Sequence, residues 1–250
     1  MLLPSRSPSA TRSKLSSERR QAYERDGFVV VPDIIPADEL AVLNEELDRL
    51  SAIPANGAGP TRGGWIYAVA QRSELTRRFA ADTRLLDLLD DVVYPGIAIH
   101  SSKLVTKLPQ STDICHWHQD EAFYTKPDDP TTYAQRRMSV WVPLQDTDER
   151  NGCLWVVPGS QRWGIDPWTM QETGTCQKRI NRVEYADEHA VPVAVRSGTV
   201  VLFSAYTWHH SKNNHTDQTR RAFIVSYQEA TAPRGAGDQR VILRPAEAPP

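Results

Sequence analysis

The sequence predicts a mainly β domain with helices gathered at its N-terminal end, and three observations carry that expectation. From Ile97 onward the chain breaks into short runs rich in β-branched and aromatic residues: IAIHSSKLVTK, MSVWVPL, CLWVVPGS, VPVAV, GTVVLFSAY and RRAFIVSY. No helical segment separates these runs, which favours a β-sandwich or barrel over an alternating βαβ fold. Helical spacing of apolar residues is confined to the N-terminal third, where Leu40, Leu43, Leu47 and Leu50 share one face.

Taken in order, Ser17 is placed to cap a short helix, SERRQAYERD, which Gly27 stops before the apolar run FVVVP. A second helix starts near Ala37. PANGAGPTRGG (54–64) is a loop by composition, and ADTRLLDLLDD (82–92) is a further short helix. Within the β region Met138, Val140 and Val142 read as sheet core, as does Trp155. Asn151–Gly152 and Pro158–Gly159–Ser160 read as turns. Residues 161–187 fit neither period and predict a long excursion, of the kind that often forms a lid or a substrate wall. The expected organisation is a disordered tail over 1–17 and one domain over 18–250. That domain divides into helices to about 95, a β core over about 96–231 and a C-terminal extension over 232–250.

Bulk properties exclude several functions. The chain has 250 residues with 29 basic and 31 acidic side chains, a formal net charge of −2. Nothing electrostatic favours nucleic acid or an anionic membrane surface, and no apolar run approaches the roughly 20 residues that span a bilayer. The cysteines, Cys115, Cys153 and Cys176, are odd in number and lack CxxC spacing. This argues against a disulfide framework and for a reducing, cytoplasmic location.

Histidines cluster twice, in CHWHQDEAFY (115–124) and in TWHHSKNNH (207–215). On an extended strand, residues i and i+2 lie about 6.6 Å apart on one face and can converge on an ion, whereas i and i+4 are about 13 Å apart. His116 with His118, or His118 with Asp120, can therefore share a metal, while Cys115 and Glu121 face the other way. The first pairing, with a distant histidine, makes a three-His site. The second makes a two-His-one-carboxylate triad with positions open for a cosubstrate and dioxygen.

HxD followed by H-x-S-x-x-N-x-T-x-x-x-R-R (209–221) resembles the phytanoyl-CoA dioxygenase family of Fe(II)/2-oxoglutarate oxygenases. YERDGFVVVPDIIPADEL, KLVTKLP and VWVPLQDTDERNGCLWVVPGSQ resemble other parts of the same pattern, so the resemblance covers most of the chain. It implies a double-stranded β-helix (jelly-roll, cupin-like) core, with Fe(II) on His118, Asp120 and His209. His116, His210 and His215 are left outside the ligand set. It further implies that Arg220 binds the distal carboxylate of 2-oxoglutarate, aided by Ser211, Trp141 and Lys103, with Lys107 competing for the last role. Phe123, Tyr124, Trp163, Trp168 and Trp208 are candidates for the substrate pocket. The activity implied is O2-dependent oxidation of a small-molecule C–H with release of succinate and CO2. Desaturation, epimerisation and ring formation are the alternatives, and Asp120 disfavours halogenation. A three-His enzyme without 2-oxoglutarate and a non-catalytic binding protein are the rival readings. The absence of an obvious basic patch favours a free small molecule or natural-product intermediate over an acyl-CoA.

Overall fold

The structure, a computed structural model, describes residues 14–52, 65–125, 136–233 and 240–246. Most of the expected tail and all of the 54–64 loop lie outside the described residues. Helix α1 (Ser17–Asp26) is capped by Ser16, one residue before the expected cap, whose side chain accepts from the Arg19 N–H. It ends at Gly27, φ +79°, the left-handed position that favours glycine. Leu15 is already buried, so order begins before the expected start of the domain. Strand β1 (Phe28–Val31) leads to α2 (Ala37–Ser51), which buries Leu40, Leu43, Leu47 and Leu50 as its spacing predicts. Strand β2 (Ile66–Tyr67) and helices α3 (Val69–Arg72), α4 (Glu74–Ala80) and α5 (Thr83–Leu89) complete the N-terminal part.

The β region begins with β3 (Ile97–Lys107), β4 (Cys115–His118), the short helix α6 (Glu121–Tyr124), β5 (Met138–Pro143) and β6 (Leu154–Val156). The expected excursion follows. It holds a 3-10 turn (Ser160–Trp163), a hairpin of β7 (Trp168–Met170) with β8 (Lys178–Ile180), and α7 (Val183–His189). Elements of three to seven residues are too short to show a period, which is why the segment looked irregular. Strands β9 (Val191–Val193), β10 (Val200–Ser204), β11 (His209–Ser211) and β12 (Arg220–Gln228) close the core. The C-terminal extension adds β13 (Val241–Arg244), which pairs with β3 and so belongs to the sheet.

One sheet has the order β1-β10-β5-β12-β3-β13, with β2 also on β3, and the smaller has the order β4-β11-β6-β9. Alternation along the strands explains the layering. Val140, Val142, Val200, Leu202, Phe223 and Val225 face the helices and pack with Leu43, Leu47 and Phe79. Their neighbours Trp141, Val201, Phe203, Ala222 and Ile224 face the smaller sheet and meet Leu154 and Val156. Strands covered on both faces read as continuous apolar runs, as GTVVLF does. The mouth between the two sheets, beside β4 and β11, is where the polar residues of the site collect. Trp155, expected in the core, is half-buried beneath the Lys212 ammonium, 3.8 Å from its ring centre. Among the described residues no helix is long and apolar enough to cross a membrane.

Candidate metal centre and cosubstrate pocket

Strand β4 pairs antiparallel with β11 so that His118 stands opposite His209, their ring centres 4.0 Å apart. The strand stops at His118. Asp120 already has helical backbone angles, φ −57° and ψ −39°, at the entry to α6. This strand-to-helix turn, not two-residue alternation, brings the carboxylate round. Its Oδ1 lies 3.8 Å from His118 Nε2 and 3.9 Å from His209 Nε2. Each imidazole donates its Nδ1–H to a backbone carbonyl, His118 to His116 at 2.7 Å and His209 to Thr207 at 2.8 Å. The Nε2 lone pairs are thereby left for the centre. His116 turns elsewhere, its Nε2 2.9 Å from the Thr173 carbonyl. His210 stacks flat on Trp117 at 3.9 Å, and His215 is exposed.

The electrostatics suit a divalent cation. Burial alone would raise the Asp120 pKa, but the Lys103 ammonium, aided by the Ser139 hydrogen bond, outweighs it and holds the carboxyl well below its usual range. Oδ2 accepts from Ser139 at 2.6 Å and Oδ1 from the Lys103 ammonium at 3.3 Å. Burial pushes His118 and His209 below the ordinary histidine value, so both stay neutral. Two neutral nitrogens and one carboxylate oxygen, all within 4.8 Å of one another, are a donor set that fits ferrous ion and leaves one side open.

Cys115 corrects two expectations. It does not face away, because β11 advances two residues, from His209 to Ser211, while β4 covers three, from His118 back to Cys115. This bulge reverses the alternation and sets Cys115 on the pocket wall, its sulfur 3.7 Å from His118 Nδ1. Nor is the chain free of disulfides, since Cys115 is bonded to Cys176 on the excursion and Cys153 alone is a free thiol. Spacing could not reveal the pair, because a loop of no recognisable period carries the second cysteine.

Arg220, Ser211, Trp141 and Lys103 line one pocket with the His/His/Asp cluster, a space of about 420 Å³ with open solvent included, which Trp65, Phe203 and Ile224 also bound. Arg220 is 2% exposed. Among the described residues its hydrogen bonds go only to the Gly152 carbonyl, and no carboxylate pairs with it. Burial lowers its pKa to about 10, which still leaves it charged at neutral pH. Gly152 has φ +78°, and a Cβ there would come 2.6 Å from the Lys212 carbonyl. The Asn-Gly turn therefore presents a backbone acceptor to the guanidinium at a position where a side chain does not fit. Lys107 pairs across the sheet with Arg220 and sends its ammonium to the Asp113 carbonyl at 2.7 Å, outside the pocket. Burial, then the charge of Arg220, drops its pKa to about 7.

The aromatic candidates divide. Phe123 sits edge-on to His118, ring centres 5.7 Å apart, and lines a second, outer cavity. Tyr124 does not line that cavity. Its hydroxyl joins a chain running through Ser226 and Ser139 to Asp120, with Ser101 at 3.1 Å. Trp163 and Trp208, expected at the substrate pocket, line neither of these two cavities. They pack edge-to-face at 4.9 Å, and Trp208 is fully buried in a separate apolar cluster. Trp168 stands beside the outer cavity, under Lys178. The sequence reading missed Ser139, Trp65 and Lys178. A serine alternating with core residues at 138, 140 and 142 was the available sign for Ser139.

A family model for phytanoyl-CoA dioxygenase (PhyH) matches residues 23–222. Ectoine dioxygenase of Sphingopyxis alaskensis is 32% identical over 234 residues, which cover 84% of this chain and 75% of that protein. EctD from S. alaskensis with 2-oxoglutarate and 5-hydroxyectoine superposes at TM-score 0.76 and 26% identity, covering 96% of this chain and 91% of that one. The carbocyclase SnoK from nogalamycin biosynthesis, TM-score 0.72 at 22% identity and 96% coverage of both chains, shows the fold alone. A jelly-roll with a His/His/Asp cluster at its mouth, together with these relatives, defines an Fe(II)- and 2-oxoglutarate-dependent dioxygenase. Within that class, this chain belongs to the phytanoyl-CoA dioxygenase family.

Two outcomes follow from the geometry. Without reductant, the unfolded protein should show one reactive thiol, and after reduction all three. Cys176→Ser should lower the unfolding free energy by about 4 kcal/mol or less, the loop-closure limit for cysteines 61 residues apart. Denaturant titration of each form checks this. The second outcome concerns pH. His118, His209 and His210, the last held near 3 by burial, refuse protons that the unfolded chain accepts below about 6.5. The unfolded state then binds more protons, so the metal-free protein should lose stability steadily as pH falls from 7 to about 5. An unfolding midpoint that stays flat over this window would contradict neutral, buried histidines.

Proposed function

We propose that His118, Asp120 and His209 hold Fe(II), that Arg220 anchors the distal carboxylate of 2-oxoglutarate, and that the enzyme hydroxylates an aliphatic C–H of a small molecule. The observation that carries this is Arg220: a buried guanidinium, unpaired with any carboxylate among the described residues, in the pocket that holds the triad. Its planar fork matches a carboxylate bidentately, and the Gly152 carbonyl fixes one edge of it. Ser211 offers a hydroxyl on the same wall as His209, and Trp141 lies 5.7 Å from the guanidinium.

When bound, iron, 2-oxoglutarate and O2 supply the oxidising power, with succinate and CO2 as co-products. The chain's own work is positional. Ser139 and Lys103 fix the Asp120 carboxylate, and the His116 and Thr207 carbonyls fix the imidazole rings. Phe123 and Cys176 form the outer wall, toward which substrate approaches.

His116 on the Thr173 carbonyl counts against a three-His centre. The small-molecule substrates of the relatives support a similar class here, and desaturation, epimerisation or ring formation would use the same site. Residues 18–250 form a single oxygenase domain in this reading, with no nucleic acid or membrane partner. A cytoplasmic location belongs to the same proposal, and the disulfide weighs against it.

Arg220→Ala should weaken 2-oxoglutarate binding by 2–5 kcal/mol, about 30- to 3,000-fold, in anaerobic titration with Fe(II). His209→Ala should abolish substrate-dependent succinate formation in a folded protein. Unchanged 2-oxoglutarate affinity in the Arg220 variant would remove the cosubstrate role.

A further inference from the structure

We infer that Lys178 is a specificity-determining residue that grips an anionic group of the substrate in the outer cavity. The inference rests on the oxygenase reading and goes beyond it by naming the substrate's charge. That cavity, about 400 Å³, lies within the range of small-molecule sites. Tyr67, Phe123 and Met170 supply its apolar wall, and Cys176 is common to this cavity and the pocket of the triad. Among the described residues Lys178 is the one charged residue lining it.

Strand β8 holds Lys178 in place. It pairs with Met170 across the hairpin, and its ammonium donates to the Ala122 carbonyl at 2.7 Å. The charge also lies 4.4 Å from the Trp168 ring centre and 5.4 Å from that of Phe123. One carbonyl acceptor leaves two of the three ammonium protons for a ligand. Among the described residues no carboxylate lies within ion-pair distance. Burial without a counter-ion lowers the pKa of this group, so an arriving anion meets a partly desolvated cation that water screens poorly.

Position gives the contact its consequence. Phe123 lies under the ammonium and is edge-on to His118, so one phenyl ring separates the charge from the metal centre. A carboxylate, phosphate or sulfonate held by Lys178 would lay its apolar body along Phe123, Tyr67 and Met170. A carbon a few bonds from the charge would then face His118 and Asp120.

The test uses the Fe(II)-loaded protein without oxygen, saturated with 2-oxoglutarate so that Arg220 is occupied. Straight-chain acids of four to ten carbons and the matching primary amides serve as probes, and calorimetry reads affinity. Wild type should bind at least one acid ten-fold or more tighter than its amide. Lys178→Met should erase that preference, Lys178→Arg should keep it, and 2-oxoglutarate affinity should be unchanged in both. If no acid is preferred, or the preference survives Lys178→Met, the inference fails while the oxygenase reading stands. If wild type binds no 2-oxoglutarate, the oxygenase reading itself fails.

Discussion

The pairing of β4 with β11, which sets His118 against His209, is the constraint on which the site depends. Each imidazole is tied through Nδ1 to a carbonyl two residues back in its own chain segment, so neither ring can turn without breaking that hydrogen bond. Asp120 completes the cluster because β4 gives way to α6 at that point. The smaller sheet thus supplies the two imidazoles, and the larger sheet supplies Lys103, Ser139 and Arg220 opposite them. Separating the sheets would dismantle the centre.

Placing three cations in or beside this mouth requires compensation, and they find two kinds. Lys103 pairs with Asp120, Lys107 uses the Asp113 carbonyl, and Arg220 uses the Gly152 carbonyl. A carbonyl dipole satisfies hydrogen bonds without neutralising charge, and the lowered pKa values of Lys107 and Arg220 reflect that. The inner pocket therefore carries more positive than negative charge before any metal enters. A dianionic keto acid is the ligand type such a pocket favours.

The excursion between β6 and β9 is fastened to the metal-bearing segment rather than hinged away from it. Cys176 is bonded to Cys115, Lys178 reaches the Ala122 carbonyl, and Asp187 accepts from the Trp117 indole at 2.7 Å. These attachments fall on the segment from Cys115 to Ala122, which also carries His118 and Asp120. The wall of the outer cavity and two of the three residues of the His/His/Asp cluster are consequently tied together.

Much of this was legible in the chain. Short runs rich in β-branched and aromatic residues marked the strands, leucine spacing marked α2, and the HxD and His-Ser-Asn-Arg patterns marked residues that the fold brings to one mouth, because these signals are local. The exceptions were residues whose role depends on a distant neighbour. A bulge turned Cys115 inward to meet Cys176, Ser139 faced Asp120 from the opposite sheet, and Tyr124 met Ser226 and Ser101 behind the centre. Trp163 and Trp208 packed against each other, away from both cavities. The sequence determined which chemical groups were present and which lay on the same short element. Only the tertiary structure decided which side chains converge, because that depends on register and sheet stacking between segments tens of residues apart.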